Sequence, residues 1–385
     1  MTKFKTTLLA MAVSAAAFSV QAAQVSLYGS VSTGVLYQNQ ASLSGGTENQ
    51  ESKDSFTMES GFWGDSIWGI TGEEDLGNGW TVGFTLENEF GSDTGEMAGA
   101  DPEGSSVLFD SQAYLRIGND KVNFAFGNIG GLASAGGDFD LLCAFDPMEA
   151  YVGVAGLGAF ASKDFASGNM AVVEVTPMEG LKVSLMGNTG DDDSSEPKWS
   201  DRDHYYGLGV SYENGPLALA AIAEMRKYDK IAKRNNLSDN DNSWTFTVAA
   251  AYDFEVVRPS FVYQHASKTR EFAAGEISGA AYNFDSFMLG ATAPLGQGTL
   301  RASVQYVKGE NDAVSDEEGN ATILGLAYTY DMSKRTTLYG AAFYSVGGDG
   351  LDKDLGANET EFGLGLMGRA DYNSVGFGVG LVHTF

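Results

Sequence analysis

Apolar side chains recur at alternate positions along most of the chain. Over 24–38, Val25, Leu27, Val31, Val35 and Tyr37 share one face, with Ser26, Ser30 and Ser32 on the other. Over 79–90, Trp80, Val82, Phe84, Leu86 and Phe90 oppose Thr81, Thr85, Glu87 and Glu89. Trp244, Phe246, Val248 and Tyr252 stand against Thr245 and Thr247 in the same way. A period of two is that of a strand buried on one side and wetted on the other. It predicts sixteen strands, at 24–38, 66–74, 79–90, 110–118, 121–128, 169–176, 180–189, 203–213, 216–226, 243–253, 256–267, 281–293, 298–309, 320–331, 335–346 and 374–385.

The connections alternate in length. Seven are short and rich in turn residues: 74–79, 118–121, 176–180, 213–216, 253–256, 294–298 and 331–335. The other eight are longer and mostly polar or acidic, such as 190–203 and 308–320. An up-and-down barrel of sixteen strands with both chain ends at the short-turn rim requires this count. A soluble β-sandwich also alternates, but the loops at its two ends need not differ in length. Strands of about ten residues with Trp and Tyr near their ends fit tilted membrane strands. The predicted fold is all-β: a 16-stranded antiparallel transmembrane barrel with short periplasmic turns and long extracellular loops. A barrel has no free edge, so 374–385 must pair with the first strand to its last residue. There Phe377, Val379 and Leu381 share a face, and Phe385 falls in the interfacial aromatic girdle.

Composition adds a compartment and removes several functions. Residues 1–22 have a basic start, a short apolar run and the small-residue end Val20-Gln21-Ala22, which reads as a secretory signal peptide. The domain assignment is therefore 1–22 signal peptide and 23–385 barrel. Removing Lys3 and Lys5 with the signal lowers the formal charge from −28 to −30. Such acidity argues against nucleic acid as a partner. Cys143 is the only cysteine, so no intramolecular disulfide forms. No run of 18 apolar residues follows the signal, which excludes a spanning helix. The three histidines, His204, His265 and His383, accompany no Gly-x-Ser-x-Gly, His-Glu-x-x-His or Walker A pattern, so catalysis is not expected. Neither a cofactor nor a metal is expected.

The stretches VSLYGSVSTGV (25–35), GITGEEDLGNGW (69–80), SKRTTLYGAAF (333–343) and VGFGVGLVHTF (375–385) resemble, in this order, the Gram-negative general porins of the betaproteobacterial and neisserial branch. The resemblance implies a homotrimer of sixteen-stranded barrels, each with its own diffusion pore for ions and small hydrophilic solutes. It also implies barrel-assembly machinery that reads the last strand through Phe377 and Phe385, and surroundings of outer-membrane lipid and lipopolysaccharide. In such porins a third loop folds inward between strands five and six. Here that gap is 129–168, a length that points to function, with an apolar content that argues against disorder. Relatives commonly carry an arginine where this chain has Ile67, and another where it has Ser111. Those arginines line the constriction and favour anions.

A pore acts through the fixed charges it presents to solutes. The candidates in the inward loop are Asp138, Asp140, Asp146 and Glu149. Strand parity adds Glu87, Glu89, Arg116, Lys182, Arg258 and Arg301 on the lumen wall, since a charge at mid-depth on the lipid face costs about 2–4 kcal/mol. With the two arginines absent, the expectation is a passive outer-membrane pore that prefers cations. Cys143 reads as a small buried residue. The run Asp191-Asp192-Asp193 could hold divalent cations, though a solvated loop is the stronger reading. The alternatives are a substrate-specific channel and an anchor or adhesin with a plugged lumen.

Overall fold

The computed structural model describes residues 24–42, 53–98, 107–134, 136–160, 166–190, 198–199, 202–228, 242–273, 276–311, 318–347 and 372–385. The expected signal peptide at 1–22 and the acidic run at 191–193 lie outside the described residues. The strand segments are β1 (Gln24–Ser42), β2 (Lys53–Ser60), β3 (Ile67–Gly77), β4 (Trp80–Glu89), β5 (Gln112–Gly118), β6 (Val122–Gly130), β7 (Ala166–Met178), β8 (Leu181–Asn188) and β9 (Asp203–Asn214). They continue with β10 (Leu217–Tyr228), β11 (Ser243–Tyr252), β12 (Arg258–Ala273), β13 (Glu276–Leu295), β14 (Gly298–Asn311), β15 (Glu318–Asp331), β16 (Thr336–Gly347) and β17 (Tyr372–Thr384).

From β3 onward each segment pairs antiparallel with the next, and β17 returns to β1 from Ser42↔Tyr372 down to Ser30↔Thr384. The sheet is closed, so no row of backbone donors is left for another chain to pair with. β2 and β3 both pair with β1, the first at Gln40↔Lys53 to Thr33↔Ser60, the second at Ser30↔Ile67 to Gln24↔Glu73. They are two halves of one broken stave, and the barrel has sixteen staves.

Alternation sorts the side chains. Leu27, Leu289 and Phe377 point outward and are 64%, 61% and 54% exposed, in a belt that includes Val25, Leu115, Phe126, Leu208, Leu326 and Val379. An apolar belt of that extent is stable against lipid tails and not in water. The inward positions carry serine, threonine, glutamine, alanine and glycine in large part, and these pack against the chain that folds into the lumen.

Three strand assignments differ clearly from the sequence reading. The second stave begins at Lys53 rather than near 66, because KDSFTMES places only Phe56 and Met58 outward and looks polar. β12 and β13 run on to Ala273 and from Glu276, where a long loop was expected. Above the bilayer there is no lipid face to fill, so hydrophobic alternation ends while the hydrogen-bond ladder continues. The ladder there is irregular, with bulges between Ala266 and Thr269 and between Arg270 and Phe272.

Candidate pore constriction

Among the described residues, two pieces of chain enter the lumen. The first is the break in the second stave. Between Thr33↔Ser60 and Ser30↔Ile67, residues 31 and 32 of β1 face residues 61–66 of the broken stave, and the surplus is pushed inward. Gly61 (φ +82°) and Gly64 (φ +84°) bracket Phe62 and Trp63 in a conformation that costs glycine little. The serine face of β1 holds this turn. Ser32 Oγ donates to the Trp63 carbonyl (2.7 Å), Ser30 Oγ to the Asp65 carbonyl (2.5 Å), and Ser66 Oγ to the Ser32 carbonyl (3.0 Å). Opposite the rings, alternate glycines of β17 leave room. Phe62 covers Gly378, Phe343 covers Gly376, and Tyr339 lies across Gly380 and Gly34.

The second piece is the β6–β7 connection, 131–165, which contains two single 3-10 turns at Cys143–Phe145 and Gly153–Ala155. Its first limb is fixed by Leu132 N–H to Tyr205 Oη (3.2 Å) and Ala133 N–H to Glu224 (3.3 Å). Leu132 and Leu141 fill the space over Gly207 and Gly209 of β9. The second limb reaches the opposite wall. Pro147 sits on Gly290, Val152 N–H donates to the Phe62 carbonyl (2.9 Å), and Ala159 N–H donates to Gln305 Oε1 (3.1 Å). Gln305 Nε2 donates in turn to the Ala155 carbonyl (2.5 Å). Leu142, Met148, Val152, Leu157 and Phe160 are fully buried, worth about 1.5–3 kcal/mol each. That burial holds Glu149, Ala150, Val152 and Leu157 at positive φ, a strain of about 1–3 kcal/mol per residue.

The acids gather on one arc. Glu87 is buried and accepts from Tyr28 Oη (2.8 Å), Ser111 Oγ (2.5 Å) and Gln112 Nε2 (3.4 Å). Glu89 stands opposite Ile67 in the ladder, within electrostatic reach of Asp65, Asp110 and Glu87. Asp138 is exposed, accepts from Tyr114 Oη, and is anchored through its own N–H to Gln112 Oε1 (3.1 Å). Two of the loop acids do something else. Asp140 Oδ2 accepts the N–H of Leu142 (3.1 Å) and Cys143 (2.7 Å) and caps the 3-10 turn. Asp146 is 4% exposed, and its carboxylate accepts the N–H of Met148 (2.9 Å) and Ala150 (2.9 Å) within the turn.

The bases separate by partner. Arg116 pairs with Glu73 across Gly83, and Lys182 with Glu174 (3.2 Å), both near the short-turn rim. Arg258 opens β12 at the same rim, within reach of Asp253 and Glu213. Arg301, opposite the same Thr292 as Arg258, meets the inward loop. Its Nη1 donates to the Pro147 carbonyl (2.9 Å) and Glu149 Oε1 (2.8 Å), and its guanidinium lies 4.9 Å from the centre of the Trp63 ring.

Burial, and then the charges of Asp140, Asp146 and Glu149, push the Cys143 thiol well above the usual cysteine range. His383 contacts Thr336 Oγ1 (2.9 Å), His204 lies near Trp199, and His265 pairs with Asp285 (2.9 Å) on the outward face of β12 and β13. Phe377 stacks near Tyr37, with ring centres 5.5 Å apart, and Phe385 N–H donates to the Gly29 carbonyl (3.0 Å). Sequence reading missed Phe62, Trp63, Asp65, Tyr28 and Tyr151. The signal for the first two was present as Gly-Phe-Trp-Gly at 61–64, a pair of rings between two turn-formers.

Comparison with known proteins agrees with this architecture. The sequence profile of the Gram-negative porin family matches residues 6–350. An outer membrane porin protein of Bordetella pertussis is 28% identical over 405 residues, covering 95% of this chain and 100% of that protein. Outer membrane porin protein 32 of Delftia acidovorans is 27% identical over 396 residues, covering 99% and 100%. Among solved structures, the anion-selective porin from Comamonas acidovorans superposes with a TM-score of 0.68 at 21% identity, over 94% of this chain and 100% of that one. The profile match spans most of the length, and the chain belongs to the Gram-negative porin family: a multi-pass β-barrel of the outer membrane, a channel and not an enzyme.

Proposed function

We propose that the barrel is a general diffusion porin that passes ions and small hydrophilic solutes passively and prefers cations. One observation carries the sign. Glu87 accepts from Ser111, and Glu89 faces Ile67, at the two positions where the general-porin resemblance leads one to expect arginine. Carboxylates that arginine would neutralise are left to act on the permeating ion. Asp138 extends the same arc, while Glu149 offsets the charge of Arg301. The remaining bases, Arg116, Lys182 and Arg258, stand near acids at the periplasmic mouth and contribute there.

The anion selectivity named for the Comamonas porin does not decide the matter. At 21% identity the two chains share an architecture, and selectivity resides in side chains. The apolar mass that 132–160 brings into the lumen favours a small size limit.

The proposal extends to a homotrimer, to last-strand recognition by assembly machinery through Phe377 and Phe385, and to lipid and lipopolysaccharide as surroundings. The test is a planar-bilayer comparison of the mature protein with Ser111→Arg and Ile67→Arg. Each substitution should lower the potassium-over-chloride permeability ratio, and the pair should lower it further. Ratios unmoved by both would remove the acidic arc from the ion path. Steps that close in thirds would support the trimer.

A further inference from the structure

We infer that Trp63 is a positioning residue for selectivity: its ring holds the Arg301 guanidinium against Glu149 and so keeps that positive charge from acting on ions in the pore. The inference rests on the proposed reading of the lumen as a water-filled ion path.

Arg301 is the candidate base that the fold brings to the inward loop, and it is held on two sides. One edge donates through Nη1 to the Pro147 carbonyl (2.9 Å) and to Glu149 (2.8 Å). The guanidinium carbon lies over the Trp63 ring, 4.9 Å from its centre, and the Arg301 side chain is 12% exposed. Nε is also buried, without an acceptor. The electron-rich ring face attracts the guanidinium charge and so helps to keep it there. The ring's own position is set from several directions. Gly61 and Gly64 turn the chain in and out, Ser32 holds the Trp63 carbonyl at 2.7 Å, and Tyr151 and Tyr339 pack 6.3 Å and 6.5 Å away, centre to centre. Tyr151 is itself tied to the same turn, through Asp65 Oδ2 at 2.9 Å. The turn and the loop therefore form one unit around Arg301.

This makes a prediction of an unusual kind, because Trp63 carries no charge. If the ring only fills space, replacing it changes the size of the pore. If it positions Arg301, replacing it changes ion preference.

The experiment measures single-channel conductance and reversal potential in a KCl gradient for wild type, Trp63→Leu, Trp63→Phe, Arg301→Gln and the double variant Trp63→Leu/Arg301→Gln. Leucine keeps bulk without a π face, and folding is checked by heat-modifiable gel mobility. Trp63→Leu should lower the potassium-over-chloride ratio roughly fivefold, since one elementary charge about 8 Å away in water changes the cation and the anion each by a little more than twofold, in opposite directions. Trp63→Phe should retain the wild-type ratio, and the double variant should match Arg301→Gln alone. A changed conductance with an unchanged ratio in Trp63→Leu overturns the inference. So does a ratio change of equal size in the Arg301→Gln background. If Trp63→Leu does not fold, Trp63→Met, again bulk without a π face, takes its place under the same outcomes. Absence of steps in the folded wild-type protein would instead overturn the pore reading beneath it.

Discussion

Tyr28 reaches Glu87 across the bare backbone of Gly69, with its hydroxyl 2.8 Å from the carboxylate. The three residues form one row through β1, β3 and β4, and a Cβ on Gly69 would lie 2.5 Å from the Tyr28 ring. A glycine between two inward side chains lets one lie over the stave and bind the other. Gly83 does the same for Arg116 and Glu73. Gly69→Val should displace the Tyr28 ring and release Glu87 into solvent. Glu87→Gln should reduce the permeability ratio for potassium over chloride. An unchanged ratio in Glu87→Gln would mean that ions do not sense this carboxylate.

The alternate glycines of β17 make a second prediction. Gly378→Leu places a side chain 2.7 Å from the Phe62 ring and 3.1 Å from the Val35 carbonyl, an overpacking that costs about 1–3 kcal/mol. Gly340→Ala meets nothing closer than a Val379 methyl at 3.7 Å and should be silent. The temperature at which the folded gel band is lost should fall for the first variant and stay put for the second. Equal behaviour would contradict the ring-over-glycine packing.

Gln305 is the wall residue that grips the returning limb of the inward loop from both ends of its amide. Gln305→Leu leaves the Ala159 N–H and the Ala155 carbonyl without that partner, a penalty of about 1–3 kcal/mol per buried group. The loop should loosen without the barrel unfolding. Current traces should show a noisier open state, and quiet traces at wild-type conductance would show that the apolar contacts alone suffice.

Asp138 and Asp146 lie eight positions apart in the same loop and should answer oppositely. Asp138→Asn removes an exposed charge and should reduce cation preference with little effect on stability. Asp146→Asn weakens two backbone hydrogen bonds inside the loop and should lower stability by about 1–2 kcal/mol with selectivity kept. Reversal potential and thermal gel shift, measured on both variants, separate the two roles.

Cys143 sits in the loop with its thiol pushed up by burial and by the neighbouring carboxylates. A raised value means a smaller thiolate fraction at neutral pH, and the thiolate is the reacting species. Maleimide labelling of the folded protein near pH 7 should be much slower than that of a free cysteine. It should speed up as pH rises, and on unfolding at constant pH. Rapid labelling of the folded protein at neutral pH would place the thiol at the open lumen.

The stave pattern was legible because the bilayer imposes it. Each spanning strand must show lipid an apolar side chain at every second position, so Leu300, Ala302 and Val304 mark β14 as plainly as Trp244, Phe246 and Val248 mark β11. Where that demand ends the pattern fades, as in β2 and in the outer part of β12 and β13. The inner face is less legible, because side chains there answer to the loop and not to lipid. Parity put Glu87 and Arg301 on the inward side, and their partners are Tyr28 for the first and Glu149 for the second. Parity names no partners, so it could not separate Arg301, which meets the inward loop, from Arg258, which stands opposite the same Thr292. Nor could it tell Asp138 from Asp146, which differ in what their oxygens accept and not in spacing. The turn at Gly61–Ser66 was hidden because its rings look like ordinary strand aromatics until the register with β1 shows four residues too many.

The most direct measurement is the zero-current potential of the mature protein in a planar bilayer separating two KCl concentrations. Acids at Glu87, Glu89 and Asp138 without the two expected arginines, and an Arg301 matched by Glu149, predict a potential of cation-selective sign. A potential of anion-selective sign would leave the porin intact and contradict the acidic arc as the determinant of selectivity.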